Sequence, residues 1–127
     1  MARQMRSSVT VDKKRKVLLV EDDPPVREAL SEALASENYE IVSAANHGEA
    51  LRGMAENHID VALLDWHVGS ENAEETLRQI NALQPHLPII LMSAAPERIS
   101  CAASGCALTL EKPLDLRLLF QKLAALC

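Results

Sequence analysis

Aromatic residues are almost missing from this chain: Tyr39, Trp66 and Phe120 make up 2% of its 127 residues. A body this poor in rings has few side chains on which bases could stack. It also carries no basic stripe, so direct binding of nucleic acid is not expected. Long hydrophobic runs are missing as well, and none approaches the roughly 20 apolar residues of a membrane-spanning helix. No secretory leader is expected, because the basic start leads into only four apolar residues, Val17–Val20. A cytoplasmic location is the expectation. Cysteine is scarce: Cys101, Cys106 and Cys127 are an odd number without metal-ligand spacing, which predicts reduced thiols. The histidines, His47, His58, His67 and His86, share no ligand-pair spacing and are expected at the surface.

What the chain does have is the composition of one soluble globular domain, 48% hydrophobic and 24% charged. Its charge is uneven. Residues 1–16 carry Arg3, Arg6, Lys13, Lys14, Arg15 and Lys16 against Asp12, a local +5, so the total of −5 leaves −10 on residues 17–127. Residues 1–15 are therefore read as a basic, flexible arm and residues 16–127 as the folded domain.

Five apolar runs alternate with helix-like stretches. The strands are expected at about Lys16–Val20, Tyr39–Ala44, Ile59–Leu64, Ile89–Met92 and Ala107–Leu110. The first helix should start at Pro24-Pro25 with Asp23 as N-cap and Val26, Ala29, Leu30, Ala33 and Leu34 on one face. Further helices are predicted at His47–Glu56, at Ala73–Leu83 with an apolar row of Leu77, Ile80 and Leu83, and at Glu97–Ser104, ended by Gly105. A last helix from Asp115 would bury Leu116, Leu119, Phe120, Leu123 and Ala124. Strands alternating with helices imply parallel pairing and right-handed crossovers. The expected architecture is a doubly wound α/β sandwich with a five-stranded parallel sheet of order 2-1-3-4-5, whose sites lie at the carboxyl ends of the strands.

Polar residues follow these runs directly: Glu21, Asp22 and Asp23 after the first, Asp65 after the third, Ser93 after the fourth and Lys112-Pro113 after the fifth. In the expected sheet they gather at one edge. Crowded acids repel, and one of them should take a raised pKa unless a cation neutralises the group. A small octahedral cation, Mg2+, fits: Asp22 and Asp65 each give an oxygen, and Glu21 acts through a water. With Lys112 and the Ser93 hydroxyl nearby, the set describes acceptance of a phosphoryl group on Asp65.

The ordered set Val20-Glu21-Asp22-Asp23-Pro24, Leu63-Leu64-Asp65, Met92-Ser93-Ala94 and Glu111-Lys112-Pro113 resembles the response-regulator receiver domain of bacterial two-component signalling, over residues 16–127. The resemblance implies the flavodoxin-like receiver fold. It implies Asp65 as phosphoacceptor and Asp22, Asp65, the His67 backbone carbonyl and, through water, Glu21 as the Mg2+ set. Ser93 would contact the phosphoryl group, Lys112 would be the family's lysine, and the Lys112–Pro113 bond is usually cis in such domains. The partners implied are a sensor histidine kinase or phosphotransfer protein and a downstream protein on the face of helix 4, strand 5 and helix 5. That face also offers a route to a homodimer. Because the chain ends at Cys127, a stand-alone receiver that relays phosphate or acts through protein contacts is expected, rather than an enzyme.

Three features depart from the family's pattern. Gly69 and Ala73 stand where a proline and a glycine are usual. Thr109 replaces the usual aromatic three residues before the lysine, and the stretch from Ser93 to Lys112 is short. Thr109 and Gly69 support a second reading, a phosphate-independent pseudo-receiver that works as a binding module, which the complete acidic, hydroxyl and lysine positions oppose. An Mg2+-dependent phosphohydrolase with an aspartyl nucleophile is a third, weakened by His67 where such enzymes carry a second Asp. A flavin site is disfavoured because Glu21-Asp22-Asp23 would repel the cofactor's phosphate.

Overall fold

The computed structural model describes residues 14–68 and 71–127. Most of the basic arm lies outside the described residues, and Arg15 already pairs with Tyr39 in the sheet. The elements in chain order are β1 (Arg15–Val20), α1 (Pro24–Ser36), β2 (Tyr39–Ala44), α2 (His47–Glu56), β3 (Val61–Asp65), β4 (His67–Val68), β5 (Glu71–Asn72), α3 (Glu74–Leu83), β6 (Ile89–Ser93), α4 (Cys101–Ser104), β7 (Leu108–Glu111) and α5 (Leu116–Leu126). A 3-10 turn, Pro96–Arg98, precedes α4.

The sheet is five-stranded in the order β2-β1-β3-β6-β7, and every neighbouring pair is parallel. Counting only its own strands this is the expected 2-1-3-4-5. Side chains alternate between its two faces, so each central strand feeds two cores. Leu18, Val20, Ala62, Leu64, Ile89 and Leu91 meet Ala50 and Met54 of α2 and Leu77 and Ile80 of α3. Val17, Leu19, Val61, Leu63, Ile90 and Met92 meet Leu30 and Leu34 of α1 and Leu119 and Leu123 of α5. All of β3 and β6 is buried, as their unbroken apolar runs required. At Gly53, a Cβ would lie 3.0 Å from Val42 Cγ1 and 3.3 Å from Leu18 Cδ1, so α2 approaches the sheet as closely as it does because that position has no side chain.

Several expectations need correction. Val26, Leu83 and Leu116 are exposed at 38%, 59% and 41%, and Ala29 and Ala124 are exposed too. The apolar stripes of α1, α3 and α5 are narrower than their hydrophobic content, because one helix face meets the sheet and the flanking apolar positions look outward. The stretch expected as one helix over Glu97–Ser104 splits into the 3-10 turn and the single turn of α4. Pro96 starts the first piece, Ser100 Oγ caps the second by accepting from Ala103 N, and Gly105 ends it in the left-handed region at φ +86°. Asp23 holds the N-cap position of α1 without a side-chain capping bond. The region after Trp66 contains the antiparallel pair β4–β5 rather than loop alone. His47 is half-buried with Nδ1 2.7 Å from Thr76 Oγ1, whereas His58, His67 and His86 lie at the surface.

The largest correction concerns the thiols. Cys101 and Cys106 form a disulfide, and Cys127 is the free cysteine. Spacing in sequence gave no hint of it, because the pair meets only through the one-turn geometry of α4.

Candidate functional site

Parallel pairing brings the carboxyl ends of β1, β3, β6 and β7 to the same edge of the sheet, and with them the polar residues that follow. Glu21 and Asp22 leave β1, Asp65 ends β3, Ser93 ends β6 and Lys112 follows β7. Glu21, Asp65 and Ser93 are buried, Lys112 is half-buried and Asp22 is exposed. Burying acids at this point costs free energy unless partners compensate, and the partners are specific.

Asp65 Oδ2 accepts from Lys112 Nζ at 2.9 Å, and Asp65 Oδ1 accepts from the His67 backbone N–H at 3.1 Å. The carboxylate is thereby held by one cation and one amide. The Lys112–Pro113 peptide is cis. Burial pulls the Lys112 pKa down, but the Asp65 hydrogen bond and the charges of Asp65, Glu21 and Asp22 outweigh it and raise the ammonium above its usual value. Lys112 N donates to the Ser93 carbonyl at 2.9 Å, which ties β7 to β6 at the site. Ser93 Oγ accepts from Ala95 N at 3.0 Å, and the hydroxyl keeps one proton to donate.

One oxygen each from Glu21, Asp22 and Asp65 lies within 4.8 Å of the others. Glu21 Oε2 accepts from Asp23 N at 3.1 Å. Burial, reinforced by the Asp65 charge, pushes the Glu21 pKa from 4.5 to about 7, against the lowering effects of the Asp23 amide and Lys112. One acid of the cluster is raised as expected, but burial rather than the neighbouring carboxylate is the main cause. The Glu21 backbone carbonyl accepts from Arg27 Nη1 at 2.8 Å, a contact from α1 that fixes the turn after β1. Sequence reasoning missed Arg27; the only available signal was a cation one turn into the helix that follows the acids. Trp66 is half-buried; its backbone N–H donates to the Met92 carbonyl at 2.8 Å, and its side chain packs against the core. Thr109 is half-buried within β7, in register with Leu91.

The family model of the response regulator receiver domain matches residues 17–124. The chain is a member of the response-regulator receiver family. The transcriptional regulatory protein GlrR of Escherichia coli is 30% identical over 108 residues, and the response regulator FleR of Pseudomonas aeruginosa is 35% identical over 112. These matches cover 83% and 86% of this chain but 24% of each relative, so the chain spans about a quarter of the length of those regulators. The response regulator TrrA of Thermotoga maritima, solved in complex with Mg2+ and BeF, superposes with a TM-score of 0.79 at 28% identity. That match covers 89% of this chain and 99% of TrrA. The receiver is thus a signalling module of two-component systems, with the doubly wound fold its sequence implied. Among the described residues no helix is long and apolar enough to cross a membrane.

Proposed function

We propose that this receiver accepts a phosphoryl group on Asp65 from a sensor histidine kinase or a phosphotransfer protein, in an Mg2+-dependent reaction. The carrying observation is the Asp65 carboxylate held by Lys112 at 2.9 Å and the His67 amide at 3.1 Å beside two further acids. The residues fit the metal: Glu21 Oε1 is buried without a hydrogen-bond partner, and a cation-bound water would satisfy it. Asp22, Asp65 and the His67 carbonyl would be the direct ligands, and Glu21 would act through water. When bound, Mg2+ neutralises charge shared between the carboxylates and a phosphoryl group.

The chain's own residues do the rest. An Asp65 oxygen forms the bond to phosphorus while the bond from phosphorus to the donor breaks. Lys112, now on Asp65 Oδ2, is placed to pair with a phosphoryl oxygen as the carboxylate loses its charge. Ser93 donates its hydroxyl proton to a second phosphoryl oxygen. Catalysis is limited to assisting the domain's own phosphorylation and dephosphorylation. The signal leaves through the face formed by α4, β7 and α5, towards a downstream protein or the next carrier of the phosphate, in the cytoplasm.

The test uses Trp66 as the reporter. Its fluorescence should change when beryllofluoride is added with Mg2+, and neither addition should change it in Asp65→Asn. An unchanged signal in the native chain would instead favour the phosphate-independent binding module, the reading that Thr109 supports.

A further inference from the structure

The Cys101–Cys106 disulfide lies outside the acidic site, and phosphoryl acceptance makes no use of it. It closes α4, with Cα atoms 4.7 Å apart and a sequence separation of 5. The turn also has non-covalent restraints, beginning with the Ser104 and Gly105 amides, which donate to the Ser100 and Cys101 carbonyls at 2.9 and 2.8 Å. Ser100 Oγ accepts from Ala103 N at 3.2 Å, Asn81 Nδ2 donates to the Ser104 carbonyl at 3.2 Å, and Gly105 supplies a left-handed C-cap. A helix of four residues does not sustain itself in water, and the bridge adds a covalent restraint to a turn otherwise held by these hydrogen bonds and by the packing of Ile99 on the core.

That stretch is the crossover between β6 and β7. One of its ends bonds Ser93 through Ala95, and the strand at the other end leads directly to Lys112. It also contributes α4 to the face proposed for partners. Whatever changes its order therefore acts on a phosphoryl contact and on the output surface together.

The two sulfurs are unequal. Cys101 is half-buried, while Cys106 is 7% exposed, which makes Cys101 the more accessible residue of the pair for an attacking thiolate. Ser104 Oγ donates to Cys106 Sγ at 3.4 Å, which favours Cys106 as the leaving thiolate. Disulfides in a reducing cytosol are characteristically transient, catalytic or redox-sensing rather than structural.

We propose that Cys101 and Cys106 form a reversible dithiol–disulfide couple that sets how firmly the β6–β7 crossover is held. Its effect on phosphorylation rests on the receiver reading given above. The reductant is a dithiol. Its first thiolate bonds to Cys101 Sγ as the Cys101–Cys106 bond breaks and Cys106 takes up a proton. Its second thiolate then displaces Cys101, which is protonated in turn. Two electrons and two protons pass to the pair, and the reductant becomes a disulfide.

The full chain is equilibrated in dithiothreitol buffers of graded potential, alkylated and weighed intact. Backbone hydrogen exchange over residues 94–107 and the rate of phosphoryl adduct formation from a small acyl phosphate are read on both redox forms. Two thiols should appear together with Cys127 labelled throughout, and exchange over 94–107 should quicken on reduction by about fivefold or more. Adduct formation should differ between the forms by a factor on the order of five, the low end of ordinary site-to-site coupling. A chain with both Cys101→Ser and Cys106→Ser should match the reduced form and ignore dithiol. Alkylation of both cysteines under oxidising conditions, or equal exchange in the two forms, overturns the couple. Equal adduct rates overturn its effect on the site. An adduct in neither form overturns the receiver reading, while a redox-dependent exchange difference would still support the couple.

Discussion

Replacing Glu21 with glutamine should stabilise the metal-free protein at pH 8, although it removes a carboxylate from the proposed metal site. Glu21 is buried beside Asp65, and its pKa stands at about 7 against 4.5 for the ordinary acid. Between those two values the native state binds a proton that the unfolded chain has released. Stability therefore falls as pH rises from 4.5 towards 7 and levels off above it. At 1.36 kcal/mol for each tenfold change in proton affinity, the cost at pH 8 is about 3 kcal/mol. Glu21→Gln keeps the shape and never ionises, so it escapes that cost. Urea unfolding in EDTA, followed by Trp66 fluorescence at pH 4.5, 6 and 8, measures the difference. Native and variant chains should coincide near pH 4.5 and separate by up to about 3 kcal/mol at pH 8, with the variant the more stable. Saturating Mg2+ should reduce or reverse the gap, since a ligand at a hundred times its Kd adds about 2.7 kcal/mol to the state that binds it. Parallel pH profiles in EDTA, or a native chain more stable than the variant at pH 8, would refute the account of Glu21 as a strained acid.

Two further outcomes follow from the geometry. Lys112→Met removes the cation 2.9 Å from Asp65 Oδ2, so Mg2+ should bind severalfold more tightly by fluorescence titration while the response to beryllofluoride is lost. Gly105→Ala places a Cβ against the Asn81 amide at φ +86°, and should lower stability by about 1–2 kcal/mol in chemical unfolding.

The sheet was legible because its strands are apolar runs of the right length, and β2 and α2 have the bounds their sequence suggests. The acidic edge was legible for the same reason: a polar residue directly after a buried strand has one place to go. Asp65, Glu21, Asp22, Ser93 and Lys112 follow strands, and the fold brings them to one edge. Less legible were features fixed by contacts between distant segments. Leu116 and Leu83 have the right hydrophobicity for burial, but the helix rotations set by Leu119, Leu123, Leu77 and Ile80 turn them outward. Arg27 acts on a backbone carbonyl, which no side-chain pattern records. Cys101 and Cys106 gave no metal or redox spacing, and they meet through the single turn of α4, which no apolar periodicity in the sequence records.

The central claim is that Asp65 takes up a phosphoryl group. Intact mass after incubation with Mg2+ and a small acyl-phosphate donor tests it most directly, with EDTA and Asp65→Asn as controls. A single Mg2+-dependent phosphoryl adduct, absent from both controls, is the expected result. An unmodified native chain, or an adduct that persists in Asp65→Asn, would contradict it.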